Sequence, residues 1–397
     1  MPLQNVFLPY GAYWSTPFCR WQGRFAGYHA IRLAAEVGAS FLERRGIPAP
    51  SFEGLHLGIT VHQRSSFYGA PWLAAMLGAP GITGPTVSQA CATAVRLLAG
   101  AGLEIETGER RCLLAVACDR TSNGPHILYP NPEGPGGAAE FENQVLDSFN
   151  EDPHAKLSMI QTAENVARRF EISRAEQEEM TLLRYRQYED SLAEDRAFQR
   201  RVLVPVELRR GKKVLGTVDA DEGIYPTTAE GLAVLRPVLP DGTVTYGTQT
   251  HPTDGNAGMI VGTRDEARRL SADDSITIQL LSYGEARAEK GMMPMAVAPA
   301  ARHALSRAGI RAADCAAIKT HNPFAVADVL FCREMDRGPA EVNHYGSPLV
   351  WGHPQAPMGM RAIIELIEEL VLKGGGYGLF AGCAAGDTAM ALVLKVN

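Results

Sequence analysis

Ser88-Gln-Ala-Cys-Ala-Thr-Ala94 stands where an apolar run gives way to a helical pattern, and its reading decides the fold. Behind it Val95, Leu98, Gly102 and Ile105 recur at three- and four-residue steps, which predicts an amphipathic helix opened by Cys91. A thiol in that place is a candidate nucleophile. The helix macrodipole and free N–H groups favour thiolate and lower the thiol pKa by about one unit or more. Taken alone, the segment also fits a buried, inert cysteine.

The second half of the chain weighs between these readings. Trp351-Gly-His-Pro354 again sets a chemically capable residue before a helical pattern, here Met360, Ile363, Ile364, Ile367 and Leu370. Gly374 to Gly376 break the pattern, and Tyr377-Gly-Leu-Phe-Ala-Gly-Cys383 reads as a buried strand ending in cysteine. The helix after Cys91 is likewise followed by an apolar strand, Arg111 to Cys118, ending in cysteine. Cys91 and Cys118 lie 27 positions apart, His353 and Cys383 30. One strand–helix–strand unit is used twice. A pseudo-two-fold between the copies brings Cys91, His353 and Cys383 towards one shared site.

The chain has 397 residues, 46% hydrophobic and 21% charged, which suits a soluble globular protein of two or three domains with a large core. A net charge of −6 and a pI near 6 argue against nucleic acid as a partner. No apolar run approaches the roughly eighteen residues of a membrane helix, so no membrane partner is expected. Seven cysteines without a pairing pattern, and no basic-apolar-small leader, predict reduced thiols and a cytoplasmic protein. No two cysteines have the C-x₂₋₄-C spacing of a zinc site, and no metal is expected.

Ala30 to Arg45 is helical, and Gly58-Ile-Thr-Val61 reads as a short strand. From about Thr121 the sequence turns polar and rich in glycine and proline, with Tyr129 to Gly137 the clearest loop, as in an insertion. Ser173-Arg-Ala-Glu176 is a capping box before a helix to about Glu194, and residues 201–220 read as a hairpin around Arg209-Arg-Gly-Lys-Lys213. Past Gly255 short apolar strands return, at Met259 to Val261 and Ile276 to Leu281.

These residues resemble the thiolase family, which makes and breaks carbon–carbon bonds between coenzyme A thioesters. Ser15-Thr-Pro-Phe18 resembles its opening strand, Cys91-Ala-Thr-Ala94 its nucleophile segment, and Thr162 to Ala167 with Ile172 to Gln177 its loop-domain helices. Thr227 to Leu232, Leu235-Arg-Pro237, Asp241 to Thr245 and Asp254-Gly255 follow in the family's order. Asn343-His-Tyr-Gly346, Gly352-His-Pro354, Gly359, Arg361 and Cys383 complete it. The resemblance implies an α/β fold of two duplicated halves in five αβαβα layers with an inserted loop domain. Its boundaries are expected at 1–120 with 252–270 for the N-terminal half, 121–251 for the loop domain and 271–397 for the C-terminal half.

It also implies a ping-pong acyl transfer. Cys91 attacks the thioester or 3-ketoacyl carbonyl, His353 accepts the thiol proton, and an acyl-enzyme forms. Cys383 moves the proton at the methyl carbon of the second thioester. The backbone N–H groups of Cys91 and Ala385 hold the tetrahedral oxyanion, at about 3 kcal/mol each. Acyl-CoA and CoA are the partners, with no other cofactor, and a homodimer or homotetramer is the expected assembly.

The chain departs from the commonest family pattern at His321-Asn-Pro-Phe324, where most members have Asn-Glu-Ala-Phe. The histidine resembles sterol-carrier-protein-type thiolases, so that His321 and His353 hold the enolate oxygen, while Asn322 lacks the acidic charge. Pro323 is expected as the first residue of the helix Ala325 to Met335. Ala384-Ala-Gly-Asp-Thr388 replaces a more glycine-rich ending and is expected to narrow the acyl pocket. Ser158, Tyr225 and Thr250 stand where relatives bind coenzyme A through histidine, arginine and serine. Three rival readings remain: a ketoacyl-synthase-like enzyme with a Cys-His-His set, a non-catalytic or partner-dependent acyl-CoA-binding subunit, and a zinc protein.

Overall fold

The computed structural model describes residues 2–397. In the N-terminal half the main elements are β1 (Phe7–Leu8), α1 (Ala30–Arg44), β2 (Gly54–Gly58), α2 (Gly69–Met76), β3 (Thr86–Val87), α3 (Thr93–Glu106), β4 (Cys112–Arg120) and β5 (Thr253–Gly262). In the C-terminal half they are β6 (Ile278–Arg287), α4 (Val297–Ala308), β7 (Cys315–His321), α5 (Ala325–Met335), α6 (Ala356–Leu372), β8 (Gly376–Ala384) and β9 (Thr388–Val396). The strands run in the order β7-β8-β9-β6-β1-β5-β4-β2-β3.

The duplication is visible in the pairing. β2 is parallel to β4, β4 antiparallel to β5, and β5 antiparallel to β1. In the other half β7 is parallel to β8, β8 antiparallel to β9, and β9 antiparallel to β6. The copies meet where β1 pairs with β6, Phe7 opposite Gln279. Pleating then sorts the core, because alternate residues of a strand point to opposite faces. Leu113, Ala115 and Ala117 of β4 join the central cluster with Leu97, Leu98, Ile363 and Ile367. Leu114, Val116 and Cys118 join an outer cluster with Ile31, Phe41 and Leu73. On β8, Phe380 and Ala384 face the centre, while Leu379, Ala381 and Cys383 face Val326 and Leu330. The result is five αβαβα layers with α3 and α6 in the middle.

Because α6 packs against strands of both halves of the sheet, residues Ala356 to Leu370 are all buried, and its charges are paired rather than solvated. Arg361 donates to both Asp221 oxygens at 2.6 and 2.8 Å, Lys319 lies 3.3 Å from Glu365, and Glu369 lies 2.7 Å from His344. Removing one partner of such a pair costs about 3–5 kcal/mol, since the other charge stays buried.

Between Arg120 and Thr253 the chain leaves the main sheet, forming two hairpins (His126–Tyr129 with Glu140–Asn143, Val206–Arg210 with Lys213–Val218) and the helices Met159–Arg169 and Arg174–Val202. The capping box of Ser173 and Glu176 opens the latter. Its regular turns end about where expected: Ala193 to Arg196 leave helical geometry, with Glu194, Asp195 and Arg196 at positive φ, and helix resumes to Val202. Gly58 ends a strand rather than beginning one. Beyond it the Asp119 carboxylate takes the N–H groups of Thr60 and Val61 that a ladder would use. Pro323 precedes its helix by two positions, and its carbonyl accepts the Thr250 N–H at 2.8 Å.

Candidate active site

Cys91 sits in a tight turn two residues ahead of α3. Ala90 is held at φ +44, Gln89 accepts the Ala92 N–H at 3.0 Å, and Thr93 Oγ1 both takes the Gln89 N–H at 2.8 Å and donates to the Ala90 carbonyl at 2.7 Å. A non-glycine residue at positive φ is strained and persists only where the surroundings hold it. The turn presents the Cys91 sulfur to a cavity of about 1120 Å³, which His321, His353, Cys383 and Ala385 also line. The sequence thus brings its four expected catalytic side chains to one place.

His353 is held from both sides of its backbone. Its N–H donates to the His251 carbonyl at 2.9 Å, and its carbonyl accepts from Thr253 at 3.3 Å, docking it on the start of β5. Gly352 before it has φ +96, and a Cβ there would lie 2.3 Å from Thr253 Cγ2, so only glycine fits. His353 Nε2 is 3.0 Å from Cys91 Sγ. Its Nδ1 accepts the backbone N–H of Gln355 at 3.3 Å. A neutral imidazole whose Nδ1 accepts carries its hydrogen on Nε2. In this tautomer the ring donates to the sulfur; accepting the thiol proton, the expected role, requires the hydrogen on Nδ1. The cysteine S–H in turn points at Gln355 Oε1, 3.6 Å away.

His321 ends β7, fully buried, its ring centroid 4.5 Å from that of His353, and both its nitrogens lack a protein partner. Cys91 Sγ and the ring nitrogens of His321 and His353 lie within 4.8 Å of one another. Asn322 points elsewhere: its Nδ2 donates to Asp328 at 2.6 Å and Ser347 at 2.9 Å, and its Oδ1 accepts from Leu349 at 3.0 Å. Asp328, itself 2.7 Å from Arg184, is the carboxylate of this corner. Asn322 is thus a structural latch with no side chain in the cavity.

Burial governs the charge states. It pushes Cys91 up to about 12, although the N–H groups of Ala385 and of Cys91 itself act in the opposite sense. It pushes Cys383 well above the ordinary thiol range, with Cys91 adding to the rise. His353 is pulled down to about 3, and His321 well below its usual value by burial and then by His353. The resting site is two neutral thiols and two neutral imidazoles. The helix start does not outweigh desolvation here, contrary to the sequence expectation, because α3 begins only at Thr93.

Among the expected coenzyme A contacts, Ser158 and Thr250 line the cavity. Their hydroxyls are engaged, Ser158 in the capping box of the helix from Met159 and Thr250 donating to the Pro348 carbonyl at 2.5 Å. Tyr225 is 70% exposed and lies outside the cavity. The ending after Cys383 contributes only Ala385 and Gly386 to the wall, since the Asp387 carboxylate turns away to the Gly291 N–H at 2.8 Å. Gln355 and Asp119 were not singled out by the sequence. The only signals for them are adjacency to His353-Pro354 and to Cys118.

The chain matches the family model for the thiolase N-terminal domain over residues 12–265 and that for the C-terminal domain over 275–396. It is 29% identical to the acetyl-CoA acetyltransferase of Paracoccus denitrificans over 383 residues, 96% of this chain and 97% of that protein. It is 28% identical to the beta-ketothiolase BktB of Cupriavidus necator, with 94% and 96% covered. Its fold superposes on the Bacillus anthracis acetyl-CoA acetyltransferase with TM-score 0.91 at 24% identity, covering both chains fully. Human mitochondrial 3-ketoacyl-CoA thiolase in complex with CoA gives 0.90 at 24% identity, covering 100% and 99%. These matches do not favour the binding-only or synthase-like readings. With both halves matched and the duplicated layers in place, the chain belongs to the thiolase family, acyltransferases of coenzyme A thioesters.

Proposed function

We propose that the protein runs a ping-pong thiolase reaction through an acyl group on Cys91. The observation that carries this reading is the convergence of Cys91, His321, His353 and Cys383 on one cavity from four separate segments. Cys91 attacks the substrate carbonyl while its own N–H and that of Ala385, already facing the sulfur, receive the oxyanion. His353 Nε2, 3.0 Å from the sulfur, takes the thiol proton and as imidazolium steadies the charge that follows. His321, neutral and unpaired, donates with His353 to the enolate oxygen of the acetyl thioester.

Hydrogen balance is met by the thiol pair. In cleavage His353 takes the hydrogen Cys91 gives up as it attacks, Cys383 gives its S–H hydrogen to the methyl carbon of the departing acetyl-CoA, and His353 then restores Cys383. The thiol of free CoA then takes the acyl group and returns a hydrogen to Cys91. Condensation is the reverse. Ser158 and Thr250 border the pantetheine path, and Tyr225 offers an aromatic face to the adenine outside the cavity.

The assembly is a homodimer or a tetramer of dimers. The two-residue edge strand β3, with Phe67 exposed nearby, leaves ladder groups for a second copy. Seven unpaired cysteines fit a reducing compartment, and the cytoplasm is the proposed location. No helix among the described residues is long and apolar enough to cross a membrane.

The test is intact-protein mass after incubation with acetyl-CoA or acetoacetyl-CoA, wild type against Cys91→Ala, with free CoA followed. An acyl adduct that requires Cys91, together with thiolytic turnover, is expected. No adduct with any of a panel of acyl-CoA thioesters would overturn the reading.

A further inference from the structure

Gln355 is the polar side chain that the reaction above leaves unused. It is 7% exposed, lines the cavity, and holds its Oε1 3.6 Å from the Cys91 sulfur. Its Nε2 has no hydrogen-bond partner among the described residues. Its backbone adopts φ +66, ψ −108, a conformation that favours glycine and that costs other residues about 1–3 kcal/mol. A strained glutamine at the nucleophile gains nothing for packing that an apolar residue would not supply.

Its environment changes when the enzyme is acylated. The thiol hydrogen leaves Cys91, so Gln355 Oε1 loses the S–H that faced it, while Nε2 had no partner before. The carboxamide is then left, almost wholly buried, beside the first carbons of the acyl chain. A plain alkyl chain leaves Oε1 without the hydrogen that faced it, at about 1–3 kcal/mol for a buried unpaired group. An oxygen on the chain restores a partner. Sites built to hydrogen-bond a substrate reject the analogue that lacks the group far more strongly than apolar pockets reject an extra methylene.

The surrounding wall has the same mixed character. Asp119 ties Thr60 and Val61 to Ala356, which follows Gln355, and Gln144 Oε1 takes the His62 N–H at 3.0 Å. Thr60, Val61, Gln144, Val145 and Gln355 all line the cavity.

We infer that Gln355 determines acyl specificity, and that the acyl group transferred to Cys91 carries a hydrogen-bonding oxygen (hydroxyl, ketone, amide or carboxylate) one to three carbons beyond its thioester carbonyl. The inference rests on the thiolase reading, since it requires an acyl-Cys91. Gln355 then does two things: its main chain contacts the His353 ring and its side chain selects the substrate.

The experiment is single-turnover acylation followed by intact mass, with butanoyl-CoA and 3-hydroxybutanoyl-CoA as the matched pair and succinyl-CoA as the carboxylated probe. Wild type is expected to acylate at least tenfold faster with one or both oxygenated probes than with butanoyl-CoA. Gln355→Leu, which keeps the volume, and Gln355→Gly, which relieves the strain and keeps the N–H to His353, are each expected to bring the ratio of oxygenated to butanoyl rates close to one, whatever the absolute rate. Equal rates for all three thioesters in wild type, or a preference that survives both substitutions, overturns the inference and leaves the thiolase reading standing. Absence of acylation by every thioester sinks that reading instead.

Discussion

Asp119 Oδ2 accepts the backbone N–H of Ala356 at 2.9 Å, joining the end of β4 to the first residue of α6 across 237 positions. The same carboxylate takes the N–H groups of Thr60 and Val61 at 2.9 Å each and the Thr60 hydroxyl at 2.7 Å. It ties the Cys91 half to the segment that carries His353 and Gln355.

Burial pushes this carboxyl up to about 7. The native state therefore keeps a proton that the unfolded chain, with an ordinary carboxyl pKa of about 4, has released. The stability linked to that proton is fully present below about pH 4 and is lost as pH rises through about 7. Asp119→Asn removes this titration, so the difference in unfolding free energy between wild type and variant should shift against wild type from pH 5 to pH 8. Urea denaturation at both values checks it. The variant should also lose about 10- to 100-fold in kcat/KM as the His353 segment drifts.

Cys91 is a neutral thiol at rest, pushed up to about 12. Its alkylation by iodoacetamide should accelerate about tenfold per pH unit from pH 7 to 10 with no plateau, because the thiolate is the reacting form. Mass spectrometry of the Cys91 peptide measures it. A plateau below pH 8 would mean that the free enzyme already holds a thiolate.

Gly352→Ala puts a Cβ 2.3 Å from Thr253 Cγ2 at a residue with φ +96. Overpacking and backbone strain together should cost about 2–5 kcal/mol. Because His353 follows directly, the variant should also lose Cys91 acylation. Equilibrium unfolding and adduct mass report the two effects separately.

Asn322→Asp introduces the acidic residue that the family resemblance leads one to expect, yet here it opposes Asp328 at 2.6 Å and loses the donor to Ser347. Two buried carboxyls at that distance share a proton, and one pKa rises. The variant should be destabilised by about 2–4 kcal/mol at pH 8 and less at pH 5, because the proton that relieves the repulsion is bound only at lower pH. Since Asn322 has no side chain in the cavity, KM should change little.

The residues of chemistry were legible because they sit at punctuation. Cys91 and His353 precede helical patterns and Cys383 closes an apolar strand, whereas His321, at the end of β7, was legible only through the family resemblance. The duplication was legible for the same reason. Asp119 and Gln355 were not, because their roles lie in distant contacts: a carboxylate after Cys118 gives no sign of holding Ala356. The charge state was misread because a sequence shows a helix start but not the desolvation around it. The apolar positions of α6 likewise marked one face without revealing that Arg361, Glu365, Glu368 and Glu369 are buried on the others.

The junction of β1 with β6 also sets the order in which the molecule can come into being. Phe7 emerges early from the ribosome, yet its neighbour Gln279 is made 272 residues later. Cys91 must likewise wait for His353, and both for Cys383. A nascent chain that has not reached the last strands carries a solitary thiol among partners still unmade, so it has no assembled site with which to capture thioesters. Such long-range pairings are slow to close and leave unpaired edges in the meantime. The four side chains of the site thus come together only once the last strands are in place.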